Sequence, residues 1–190
     1  MLVHPALHLE VARQRHRELV ARAERRRIAL AHTDLSDCFR LRRLSASDQE
    51  AVTDGFSRLS ARSRYQRFAA PKPTFTRADL DRLIDVDPPR SDALGAFACG
   101  GNQLVGFAHY AGGDQARGPE LGVAVVDGWQ GKGVGTELAR TIIGHARAAG
   151  HAQLHAHVLA ENRGALRLMQ RLGFRSVGRE GPLVVLELAD

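Results

Sequence analysis

The stretch that most constrains this chain is Gln130-Gly131-Lys132-Gly133-Val134-Gly135, set between the apolar run "ELGVAVV" and the helix-like run "GTELARTIIGHARAAG". Glycine admits positive φ and close approach of a ligand to the backbone, at an entropic cost of roughly 0.5–1 kcal/mol in regular structure. Three glycines at alternate positions, where a strand gives way to a helix, therefore read as a loop shaped around something. A helix N-terminus exposes unpaired N–H groups and about half a positive charge. Glycines let such groups close around oxygens, so the loop predicts a phosphate cradle. Two common cradles are excluded by spacing. A nucleotide-binding P-loop needs Ser or Thr directly after the Gly-Lys pair, and here Gly133 follows Lys132. A dinucleotide fingerprint needs G-x-G-x-x-G, and here the spacing is G-x-G-x-G.

The rest of the chain suits one domain with an appendage. Its 190 residues are 44% hydrophobic and 25% charged, enough for a packed core. No apolar run approaches the roughly 18–20 residues that span a bilayer, and no signal-peptide core opens the chain, so a cytoplasmic protein without a membrane partner is expected. Cys38 and Cys99 make neither a disulfide framework nor a zinc pattern, and are expected to be reduced and packed. The net charge of +6 is concentrated early: residues 1–31 hold seven arginines against three glutamates. Residues 7–30 read as a basic amphipathic helix. The segment lacks aromatics for base stacking, which argues against nucleic acid as a partner. Lys72 and Lys132 are the only lysines, and one lies in the glycine loop.

Residues 1–36 are thus read as a basic helix and linker, and 37–190 as the main domain. "CFRLRRL" (38–44) alternates as a half-buried strand. Residues 45–60, 60–70 and 76–87 read as helices, the second stopped by Pro71 and Pro73. From Ala93 the texture turns to mixed α/β. Two strands are joined by a Gly-Gly-Asn turn. The strand–glycine loop–helix unit follows, with its helix ended by Gly150. Then come "AQLHAHVLA", a helix over "ENRGALRLMQRLG", and two final strands.

Gln130-Gly131-Lys132-Gly133-Val134-Gly135 resembles the Q/R-x-x-G-x-G/A signature of the GCN5-related N-acetyltransferase (GNAT) superfamily. "ENRGALRLMQRLGF" (161–174) resembles that superfamily's closing helix and strand. Within it, "LSARSRYQRFAAPKPTFTRADLDRL" and "VVDGWQGKGVGTEL" look most like the acetyltransferase module of bacterial protein lysine acetyltransferases. The resemblance implies a three-layer α-β-α domain around a mixed, mostly antiparallel sheet, with a splay between two parallel strands. It implies acetyl-CoA as cosubstrate, with no metal. The pyrophosphate would take N–H groups of Gly131, Lys132, Gly133, Gly135 and Thr136, with a contact from Gln130. Pantetheine would pair with backbone of Val123 and Val125, and Asn162 would touch the cofactor arm. The acceptor would be a primary amine, either a protein lysine or a small molecule such as a polyamine or aminoglycoside. A non-catalytic acyl-CoA sensor is the rival reading, and a homodimer is left open.

Acetyl transfer needs a neutral amine, whereas a free lysine has a pKa of about 10.4. A base must take the proton, and a donor must stabilise the oxyanion, here the backbone near Val123. Lysine-acetylating relatives place a catalytic glutamate at the position of Glu120, which is expected to be the general base within the cleft. His109 is held in reserve as a proton relay. Many members carry a tyrosine general acid seven residues after the asparagine; that position is Met169, and Tyr110 is the weak substitute. His155 and His157 share a strand face, but the sequence signals no third metal ligand near them.

Overall fold

The computed structural model describes residues 38–112 and 118–189. The expected basic helix and linker of residues 1–36 lie outside the described residues. Strand β1 (Phe39–Arg43) leads through a 3-10 turn into helices α1 (Gln49–Ser57), α2 (Ala61–Phe68) and α3 (Arg77–Ile84). Strands β2 (Asp92–Ala98), β3 (Leu104–Ala111) and β4 (Glu120–Val125) follow, then α4 (Val134–Ala148), β5 (Gln153–Leu159), α5 (Arg163–Arg171), β6 (Arg175–Glu180) and β7 (Leu183–Ala189). Seven strands form one sheet in the order β1-β2-β3-β4-β5-β7-β6. Every neighbouring pair is antiparallel except β4 with β5.

Local chemistry explains the helix starts. Thr76 and Asp79 form a reciprocal capping box before α3, and Ser60 caps α2 by accepting from the Ser63 N–H at 3.1 Å. Each satisfies a donor that the first turn leaves unpaired. The sheet is covered on both faces. Val134, Leu138 and Ile142 of α4 join Leu94, Val105, Ala108, Leu121 and Leu154 in one core. Val52, Phe56, Leu80 and Leu83 of the first helices join Phe97, Phe107 and Ala124 in the other. Alternate residues of β4 thus serve opposite layers, as a period of two demands.

Few charges enter these cores. Asp92 is buried and is held by Arg43 at 2.9 Å and by His145 at 2.8 Å. Asp48 is buried against Arg42 at 2.5 Å. The bond to Arg42 outweighs burial and holds the Asp48 carboxyl below its ordinary value. The expectation of reduced cysteines is corrected: neither is free, and Cys38 and Cys99 are both disulfide-bonded. Their neighbours Phe39 and Ala98 are paired across β1 and β2. Strand register, which spacing along the chain does not reveal, brings the two positions level. No helix among the described residues is long and apolar enough to cross a membrane.

Leu138 is fully buried beneath the sheet. Leu138→Ala is expected to cost about 2–5 kcal/mol, the range for a buried leucine that leaves a cavity. Urea denaturation followed by circular dichroism measures it; a loss below about 1 kcal/mol would mean that α4 collapses onto the sheet to fill the space.

Candidate active site

A cleft of about 650 Å³ opens where β4 and β5 part. The two strands share a single rung, Glu120 opposite His155, with the His155 N–H donating to Pro119 O at 3.1 Å. On its other side β4 remains paired with β3 along its length. In an antiparallel pair alternate residues turn their N–H and C=O to the partner. Val126 donates to Val105 O at 2.9 Å, so Ala124 and Gly122 also face β3. Val123 and Val125 therefore present N–H and C=O to the β5 side, where no strand meets them among the described residues. This is the edge that the sequence predicted at these two valines.

The glycine loop closes one end of the cleft. Gly131 and Gly133 have φ of 76° and 86°, which residues with a Cβ adopt at a cost. A Cβ at either would meet nothing within 4 Å and would project into open space. Gly135 differs: it lies in ordinary helix inside α4, and a Cβ there would touch Val125 Cγ2 at 3.4 Å and Leu168 Cδ2 at 3.6 Å. Its lack of a side chain keeps the helix close to the strand. The N–H groups of Gly131, Gly133, Val134 and Gly135 donate to no backbone carbonyl among the described residues.

Two expected phosphate contacts are differently engaged. The Thr136 N–H donates to Gly133 O at 3.0 Å, closing the first turn of α4. The Gln130 N–H donates to Asp127 O at 3.1 Å, and its side-chain Nε2 donates to Val125 O at 3.1 Å and to Ser63 Oγ at 3.2 Å. Gln130 thereby shapes the loop and occupies one carbonyl of the open edge. Lys132 turns its Nζ over the Trp129 ring, 5.2 Å from the centroid. Asn162 lines the cleft and caps α5, its Oδ1 accepting from the Ala165 N–H at 3.1 Å.

Glu120 stands at the opposite end. It lines the cleft at its mouth, with 48% of its side chain accessible, and not in the enclosed position that the sequence suggested. The reason is topological: β4 begins at Glu120, directly after the turn through Pro119. His157 Nδ1 lies 3.3 Å from Glu120 Oε1, and His157 Nε2 lies 3.6 Å from Glu180 Oε2. His155 Nδ1 donates to Gly118 O at 3.0 Å. One ligand atom each from Glu120, His155 and His157 lie within 4.8 Å of one another. The third residue that the sequence did not signal beside the two histidines is thus Glu120, brought there by the one parallel rung.

Arg67, in the last turn of α2, was not singled out from the sequence. Its guanidinium lies over β4 where Gly122 lacks a side chain, and a Cβ there would run into it. Arg67 Nη2 lies 3.4 Å and 3.3 Å from the two ring nitrogens of His109, and Nε is buried without a hydrogen-bond partner. Burial pushes the guanidinium below its ordinary value, and the Glu120 charge works the other way. His109 is pushed down to about 3, first by burial and then by the Arg67 charge. Burial and the Arg67 charge thus hold its ring in the neutral form. Tyr110 is no substitute acid. It is buried away from the cleft, and its hydroxyl donates to Pro89 O at 3.3 Å. Met169, buried at the cleft wall, offers no proton.

The wall carrying Arg67 is tied to the loop end. Asp127 accepts from the Ser60 N–H at 2.9 Å, from Ser60 Oγ at 2.8 Å and from Ser63 Oγ at 2.9 Å. Burial raises the Asp127 pKa, but these bonds outweigh it and hold the carboxyl below its ordinary value.

Comparison with known proteins agrees with this geometry. The chain is 33% identical over 144 residues to Acetyltransferase PA5475 of Pseudomonas aeruginosa, covering 75% of this chain and 76% of that one. It is 29% identical over 152 residues to Acetyltransferase Pat of Mycolicibacterium smegmatis, covering 79% of this chain and 45% of that protein. The crystal structure of the GNAT domain of S. lividans PAT superposes with a TM-score of 0.74 at 25% identity, over 80% of this chain and 90% of that one. A family model for the acetyltransferase (GNAT) family matches residues 57–174, more than half of the chain. With a glycine loop at the head of α4 and an open strand edge leading from it, the chain belongs to the acetyltransferase (GNAT) family.

Proposed function

We propose that this enzyme transfers the acetyl group of acetyl-CoA to a primary amine, with Glu120 as general base. One observation carries the reading: the open backbone edge of Val123 and Val125 runs within one cleft from the glycine loop to Glu120. The residues fit the cosubstrate. The N–H groups of Gly131, Gly133, Val134 and Gly135 suit a pyrophosphate, where the α4 dipole adds attraction. The valine edge suits the amide-bearing pantetheine arm, which would bind as an added strand. Acetyl-CoA, when bound, supplies the activated thioester.

The chain's own groups then have separable tasks. The Val123 N–H, first beyond the shared rung, suits an oxygen that gains negative charge during attack. Glu120 takes the proton from the incoming ammonium or amine. His157, between Glu120 and Glu180, offers that proton a path outward. With Met169 in place of a hydroxyl, the leaving thiolate takes its proton from solvent. The resemblance to protein lysine acetyltransferases puts a lysine ε-amine first among acceptors, ahead of polyamines and aminoglycosides.

Gly133→Asp should abolish measurable acetyl-CoA binding or weaken it at least about tenfold, because a carboxylate would face the pyrophosphate. Isothermal calorimetry on the folded variant decides this, and unchanged affinity would reject the cradle.

Glu120→Gln keeps the shape but cannot accept a proton. It should lower kcat/KM by about 10²–10⁴-fold and leave acetyl-CoA affinity within about a few-fold, because the phosphate donors lie at the other end of the cleft. Its residual rate should climb with pH as the free amine becomes neutral. Superimposable pH profiles for wild type and variant would remove Glu120 from the chemistry.

A further inference from the structure

We propose that Arg67 is a binding residue for a carboxylate carried by the acceptor, so that the substrate class is an amine bearing a nearby carboxylate. The inference rests on the acetyltransferase reading above and deepens it.

Several arginines of the domain are matched by carboxylates. Arg42 pairs with Asp48, Arg43 with Asp92, Arg58 with Asp54 and Arg77 with Asp81. Arg64, one turn before Arg67 on α2, donates to the carbonyl oxygens of Leu59, Pro73 and Ser57 at 2.7–3.0 Å. Arg67 has neither arrangement. Among the described residues it forms no ion pair with a carboxylate and donates to no carbonyl. Its one hydrogen-bond partner is the neutral ring of His109, and its Nε has none. Glu120 attracts it through space without bonding to it. A guanidinium keeps its charge, and holding one against protein without a counter-charge is unfavourable. A ligand that supplies the counter-charge resolves the imbalance.

Geometry says where that ligand lies. Arg67 lines the same cleft as Glu120, resting over Gly122. Glu120 and Gly122 share one face of β4, and residues two apart on a strand are separated by about 7 Å. One ligand that carries an amine and a nearby carboxylate can therefore address both groups, whether a free amino acid or a lysine beside an acidic group. Arginine presents donors in a rigid fork that matches a carboxylate with two parallel bonds. His109, fixed opposite Gly122 by the β3–β4 register, holds Nη2, and the part of Arg67 that lines the cleft is what a ligand meets.

The test uses the full chain, acetyl-CoA and release of free thiol, with acceptors in matched pairs. One pair type is L-α-amino acids against their amides. A second is Nα-acetyl-L-lysine against Nα-acetyl-L-lysinamide. A third is a lysine peptide amide with glutamate or glutamine beside the lysine. The first two identify a free amino acid, and the third an acidic peptide. The carboxylate member of at least one pair should be preferred about 10- to 100-fold in kcat/KM, mostly through KM, as expected for a charge-assisted bidentate contact. Arg67→Gln should erase that preference by lowering kcat/KM for the carboxylate member at least about tenfold more than for the uncharged member, and Arg67→Lys should restore part of it. Equal use of both members of every pair by the wild type overturns the proposal, whether or not the variants fold. So does an equal loss on both members in Arg67→Gln, which would mark a structural role. Acetyl-CoA binding without reaction of any amine in the panel also rejects the subsite. Failure to bind acetyl-CoA at all would instead reject the underlying acetyltransferase reading.

Discussion

A single parallel rung between β4 and β5 sets the architecture on which the rest depends. Parallel strands are joined by a crossover, here α4, and its N-terminus must sit at the carboxyl end of β4. Because the strands separate after Glu120 and His155, that same end is open. One departure from a continuous sheet thus creates the cleft, leaves the Val123 and Val125 backbone unpaired and aims the α4 N-terminus into the gap. Buried backbone groups require partners, so an edge of this kind inside a domain implies that a ligand or water completes it. The two cores on either side keep the strands apart. Val134 and Leu138 tie α4 to β3 and β4, while Met169 and Phe174 anchor the segment beyond β5 in the same cluster.

The two ends of the cleft are mechanically linked on its other wall. Asp127 stands in the turn between β4 and the glycine loop, yet it binds the first residues of α2, the helix that carries Arg67. Gln130 reaches from the loop to Ser63 on that helix and to Val125 on the strand. A polar lattice of this sort orients the wall that carries Arg67 relative to the glycine loop without adding bulk to the cleft. It also explains a glutamine at the head of the glycine loop: its two side-chain N–H groups brace the loop against strand and helix.

Charge at the Glu120 end of the cleft is similarly arranged by packing. Gly122 admits the Arg67 guanidinium against the sheet, and the guanidinium with burial keeps His109 neutral. Glu120 remains beside His157 and at the solvent boundary. A carboxylate there exchanges a proton with solvent readily, which suits the general-base role proposed for it.

The elements and the glycine loop were legible in the sequence because their causes are local. Alternation in 38–44, the Thr76 and Ser60 caps and the strand–glycine–helix junction are written in neighbouring residues, and Gly131 and Gly133 do adopt the left-handed conformation that their placement suggested. The open edge at Val123 and Val125 came through resemblance, and the register supports it. Other features depend on which strands lie side by side. Only the tertiary structure set Glu120 against His155 and His157, turned Tyr110 away from the cleft, packed His109 against Arg67, engaged the Gln130 and Thr136 amides, joined Cys38 and Cys99 in disulfide bonding and laid Arg67 over Gly122. Hydrogen-bonding periodicity and capping act over a few residues and can be read along the chain. Contacts between residues tens of positions apart follow from sheet order and register, which the chain acquires only when both cores close.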